Sequence, residues 1–218
     1  MFREEAPKLF DEHAGEAEER FERYLANIAS RLRGIALIGI ELDVIHDGRF
    51  VIPDGRLADF YPVVGAVHFL LSASRKRPFR EIEEEFRRQV SWFAERGGID
   101  VLAHPFRVLA QDEIPVSDAL VEWVVKRASE GGLALEINSH KQLFELDVRL
   151  AAEAMKAGAL TAVGTDAHEP REFGEFSYHE MVFEAATERA QGAEVRLYIP
   201  EREEGSWKGR WTQRGEES

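Results

Sequence analysis

IDVLAHP at residues 99–105, LALEIN at 133–138 and LTAVGTD at 160–166 decide the fold. Each is a short, almost unbroken apolar run rich in Val, Ile and Leu, the pattern of a strand buried on both faces. The segments between them carry helix signals. Residues 117–129 open on Ser117, a good N-cap, with Asp118 in the first turn, and residues 145–157 stop at Gly158.

Outward from this centre the alternation continues. Residues 79–96 place Phe79, Ile82, Phe86, Val90 and Phe93 on one helical face. PVVGAVHFLL (62–71) and IALIGIELDVI (35–45) read as strands, the second followed by a turn at HDGR (46–49) and a short return strand at FVIP. A first helix over residues 15–33 repeats Phe21, Tyr24, Leu25, Ile28 and Leu32 and ends at Gly34. On the other side, residues 178–190 predict a helix and EVRLYIP (194–200) a last strand. Alternating strands and helices imply an α/β fold with a parallel sheet covered by helices. One domain over residues 1–200 is expected, with a charged tail at 201–218 that Trp207 and Trp211 could pin.

Composition narrows the function. The chain has 218 residues, 28 Lys plus Arg against 41 Asp plus Glu, and a net charge of −13. A general nucleic-acid binder needs a positive footprint, and an anionic membrane would repel this chain. A small anionic substrate needs only a few local cations. Cysteine is absent, so disulfides, thiolate metal sites and cysteine nucleophiles are excluded. The apolar fraction of 44% can fill a core, and no run is long enough to span a bilayer. A soluble cytoplasmic protein is expected. The glycine-rich and serine-elbow signatures of dinucleotide binding, P-loop NTPases and serine hydrolases are missing.

In parallel α/β folds, function gathers at the carboxyl ends of the strands. Glu41 and His68 lie late in the first two predicted strands, His104 ends the third, and Asp166 ends the fifth, with His168 two residues on. A lone buried His is usually a hydrogen-bonded core residue, and Asp166-Ala167-His168-Glu169-Pro170 could simply start a helix. Recurrence at successive strand ends points instead to a cation, which neutralises the carboxylates and uses the imidazole lone pairs; nitrogen and oxygen donors suit Zn, Mn or Fe. Arg107 and Arg171 each follow a candidate ligand by three residues, and Arg75, Lys76, Arg77 and Arg80 crowd the loop after His68. They suit either a bound phosphate or solvated salt bridges. His13, His46 and His179 are expected to be structural, and His140 stays undecided.

At these residues the sequence resembles the polymerase and histidinol phosphatase (PHP) superfamily, nearest its histidinol-phosphatase-like branch. IGIELDVI (38–45), VGAVHFL (64–70), DVLAHPFR (100–107) with LEINSH (135–140), and VGTDAHEP (163–170) carry the resemblance, in the family's order. It implies a distorted (β/α)7 barrel with parallel strands, outer helices and up to three metal ions. Glu41 matches the bridging glutamate, His68 and His104 the histidines completing one site with it, and Asp166 and His168 the Asp-x-His serving the other ions. Glu136 and Asn138 match a recurrent strand motif. Glu41, His104 and Asp166 would be the catalytic set, and Arg107 and Arg171 would face the substrate phosphate. The implied reaction is hydrolysis of a small phosphomonoester, such as histidinol phosphate, by metal-activated water.

The family pattern also opens with His-x-His on one strand and Asp-His on the next. Neither occurs here, and Asp11-Glu12-His13 is the nearest stand-in. The barrel is therefore expected to be incomplete. One metal should bind fully, turnover should be impaired, and the edge at residues 35–45 should invite self-association or coverage. Two rival expectations are a non-catalytic metal-binding or interaction module, and a longer reading frame that begins upstream.

Overall fold

A computed structural model describes residues 14–32, 36–44, 48–50, 52 and 54–200. The Asp11-Glu12-His13 trio, Gly34, His46 and the tail with Trp207 and Trp211 lie outside the described residues, as do the side chains of Phe21, Tyr24 and Leu32. The alternation predicted from the sequence is present. Six strands, β1 (Ile40–Asp43), β2 (Val63–Ala66), β3 (Val101–Ala103), β4 (Ala134–Asn138), β5 (Leu160–Gly164) and β6 (Arg196–Leu197), pair in that order, all parallel. The order never reverses. Right-handed crossovers stepping always in one direction put every connecting helix on the same face, as in a barrel and unlike a doubly wound sheet. Among the described residues the sheet stays open, with β1 and β6 as its edges.

The helices are α1 (Ala14–Leu32), α2 (Leu71–Ser74), α3 (Phe79–Arg96), α4 (Arg107–Gln111), α5 (Asp118–Glu130), α6 (Phe144–Ala157) and α7 (Ser177–Arg189). Ser117 caps α5, its Oγ accepting the Leu120 N–H at 3.1 Å, and Gly158 ends α6 in the left-handed conformation at φ 64°. Of the predicted apolar stripe on α3, Ile82, Phe86, Val90 and Phe93 are buried. Phe79 is not: it is the first residue of the helix and is 46% exposed. Phe93 stacks on Phe50 and lies so close to β2 that a side chain at Gly65 would strike its ring. Full burial of one such ring is worth about 1.5–3 kcal/mol.

Every strand is shorter than its apolar run suggests, β3 spanning only Val101–Ala103 of residues 99–105 and β5 Leu160–Gly164 of 160–166; the shortfall is largest in three. The run 62–71 leaves the sheet after Ala66, and its end turns into α2, where the Glu85 carboxylate on α3 accepts the Leu71 and Ser72 N–H groups at 2.9 and 2.7 Å. A short apolar run does not by itself distinguish strand from helix, and a distant side chain settles it here. The run 35–45 pairs only over Ile40–Asp43, with the return strand reduced to a Val44–Phe50 bridge, and 194–200 pairs only at Arg196–Leu197. Both belong to edge strands, which have one neighbour to hold them.

Strand alternation separates core from chemistry. Leu42, Leu102, Leu135 and Ile137 point into the main core beneath the helices. Their neighbours Glu41, Asp43, Glu136 and Asn138 therefore take the opposite face. Lower on that face Val101, Ala134 and Ala162 form a small second cluster, with Val64, Leu160 and Tyr198 packed on it.

Candidate metal centre

Glu41 is the second residue of β1 and Asp43 its last, His68 follows β2 by two residues, and His104 follows β3 directly. The parallel register sets these ends side by side, Glu41 opposite Val64 and Val64 opposite Val101. Donor atoms of Glu41, His68 and His104 lie within 4.8 Å of one another. Glu41 Oε1 is 3.0 Å from His68 Nε2 and 3.6 Å from His104 Nε2. The other ring nitrogen of His68, Nδ1, is 2.9 Å from Asp43 Oδ1. That carboxylate fixes the ring with Nε2 facing Glu41, the arrangement by which an outer carboxylate orients a metal-binding histidine.

The electrostatics follow from these contacts. Facing the His104 and His68 rings, the Glu41 carboxyl is held well below the usual carboxylate range. His68, between Asp43 and Glu41, is pushed up to about 9. His104 differs: it is 7% exposed, and neither ring nitrogen has a hydrogen-bond partner. A buried polar atom without a partner is costly. A divalent cation between Glu41, His68 and His104 would use its lone pair, so the donor set fits such an ion. His104 also sits at φ 29°, an uncommon conformation for a residue with a side chain. Its N–H donates to Glu136 Oε2 at 2.8 Å, and burial pushes the Glu136 carboxyl upward.

Asp166 and His168 come together as expected, His168 Nε2 standing 3.3 Å from Asp166 Oδ1. The structure adds His140, whose donor atom falls within 4.8 Å of both. Glu169-Pro170 does open a helical turn, a 3-10 turn at Pro170–Glu172, but its N-cap is Glu169; Asp166 does not cap it and turns instead to Arg107 and His168. Arg107 is buried, its Nη1 donating to Asp166 Oδ2 at 2.8 Å and its Nη2 to Asn138 Oδ1 at 2.6 Å. Arg171 is placed elsewhere, 79% exposed and paired with Glu169. Two cations of the loop after His68 form helix-face pairs, Arg77 with Glu81 and Arg80 with Glu84.

His179 is structural, but not on a surface: it is buried beneath the sheet with Nε2 3.1 Å from the carbonyls of Ile137 and Gly164. Sequence reasoning missed Asp43 and left His140 open. Asp43 had a signal, since Glu41-x-Asp43 in a strand puts both carboxylates on one face. His140 had none, because it belongs to a turn whose path the pattern does not set. No protein-family model and no curated protein matches the chain.

Proposed function

We propose that the chain is a metal-dependent hydrolase of phosphomonoesters, built on an open α/β sheet of PHP type. The observation that carries this reading is the His104 ring, buried with neither nitrogen hydrogen-bonded and its Nε2 3.6 Å from the Glu41 carboxylate, which a second, oriented histidine also faces. The four stretches resembling the PHP superfamily supply the reaction class. When bound, a divalent ion provides positive charge and an activated water at neutral pH.

The chain's own residues do the rest. Glu41, His68 and His104 would hold the ion. Asp43, 2.9 Å from Nδ1 of His68, would hold a proton there and leave the Nε2 lone pair to the ion. Glu136 fixes the backbone of His104. The side chain of Glu41 is 42% exposed, so a substrate can reach the cluster from solvent. Of the two arginines expected at the phosphate, Arg107 stands against the cluster and offsets its negative charge, while Arg171 sits in the exposed loop beyond. Glu41, His104 and Asp166 remain the proposed catalytic set.

Elemental analysis of the purified chain, with p-nitrophenyl phosphate and histidinol phosphate turnover in added Zn, Mn or Fe, tests this reading. Bound metal and metal-dependent turnover are expected, both lost in His104→Ala. Metal without turnover would favour the non-catalytic binding module, and no metal would overturn both.

A further inference from the structure

We propose that His140 supplies the third donor of a second divalent-cation site, formed with Asp166 and His168 and distinct from the Glu41, His68 and His104 set. Ligand atoms of all three lie within 4.8 Å of one another. The two imidazole rings face each other with centroids 4.5 Å apart and planes 35° apart. Two imidazoles and one carboxylate oxygen at this separation are the donors of an open transition-metal site, with the remaining positions left to water.

What distinguishes this cluster from a chance surface grouping is that each donor is held from outside. The Asp166 carboxylate is divided: Oδ2 accepts from Arg107 Nη1, which leaves Oδ1 facing the His168 ring. The backbone of His168 donates its N–H to Glu172 Oε2 at 2.8 Å. The backbone of His140 donates to Asn138 Oδ1 at 3.0 Å, and the same oxygen accepts from Arg107 Nη2. Arg107 and Asn138 thus tie the turn after β4 to the loop after β5, and that tie brings His140 across to Asp166. Asp166 itself sits at φ 46°, an uncommon conformation for a residue with a side chain. A lone Asp–His ion pair would explain the contact of Asp166 with His168 but not the second ring beside it.

The inference rests on the metal-dependent reading only in that both need a divalent ion, and stoichiometry separates them. Zn bound to the full chain is counted by competition with a chromophoric chelator, and Co binding is followed by its visible absorption. The wild type is expected to bind about two ions, and His140→Ala and His104→Ala about one each, of different affinity. Urea denaturation of His140→Ala checks that it is folded, and His140→Asn serves as a second variant if it is not. A wild type that binds one ion, lost in His104→Ala but kept in His140→Ala, overturns this inference and leaves the proposed function standing. One ion lost only in His140→Ala does the reverse. Two ions in both the wild type and the His140 variants also overturn it.

Discussion

Gly164→Ala would test how tightly the sheet is coupled to the candidate metal centre. Gly164 lies beside β4, opposite Asn138 in register. A Cβ at this position would overlap the Glu136 carboxylate, with its Cδ 2.7 Å and its Cγ 3.2 Å away. The obstruction reaches past the tip of the side chain, so Glu136 must move as a whole. Moving it breaks the 2.8 Å bond from the His104 N–H to Oε2. Leaving that buried donor unpaired costs about 1–3 kcal/mol, and the displaced bulk costs roughly 1–3 kcal/mol more. A loss of about 2–6 kcal/mol is expected, a large part of a typical domain stability of about 5–15 kcal/mol. Metal affinity should also fall, by about 10–100-fold, because His104 loses the contact that orients it.

The assay is urea denaturation with a parallel chelator competition, run as a double-mutant cycle with Glu136→Ala. Once the carboxylate is gone, Gly164→Ala should cost less than about 1 kcal/mol, because the space is free. Equal cost in both backgrounds would refute the coupling. So would normal metal affinity in a destabilised Gly164→Ala chain, since it would mean that Glu136 holds the strand without orienting His104.

Two further outcomes follow from the titrating groups. Asp43→Asn should lower metal affinity about 10–100-fold and bring His68 down from about 9 towards its ordinary value near 6.5, read by NMR titration of the metal-free chain. Because the folded value of His68 is raised, its contribution to stability is full below about 6.5 and is lost as pH rises through about 9; that pH dependence should shrink in Asp43→Asn, and an unchanged titration would sink the pairing. Burial pushes Asp147 up to about 7 against an ordinary value of 3.8, with Tyr178 Oη donating to its Oδ2 at 2.5 Å. Its neutral form stabilises the fold below pH 4, and that benefit is lost as pH rises through about 7. Asp147→Asn, which stays neutral, should therefore be more stable than wild type by about 2–4 kcal/mol at pH 8 and nearly equal to it at pH 4, and equal stability at both would disprove the burial argument.

Much of the fold is legible in local pattern. Phe86, Val90 and Phe93 recur at helical spacing because one face of α3 must be buried, and the unbroken apolar runs of β3 and β4 are those of strands covered on both sides. Alternation within β1 even separates Leu42 from Glu41 and Asp43. Where pattern failed, a tertiary contact had intervened. Glu85 captures the N–H groups of Leu71 and Ser72 and starts α2 inside an apolar run, and α4 begins at Arg107, three residues past His104, with no sequence signal strong enough to announce it.

The sequence by itself determined the alternation of strands and helices and the recurrence of His104, Asp166 and His168 at strand ends, because burial period and chain order are local properties. The tertiary structure alone decided that the sheet winds in one direction and that His140 joins Asp166. It also decided that Asp43 pins His68 and that Arg107 turns to Asp166 and Asn138. Those contacts join residues as far as 59 positions apart, and they exist only once parallel pairing has brought the loops to one rim. Which loops meet there depends on register and crossover hand, and neither is written in any single stretch of chain.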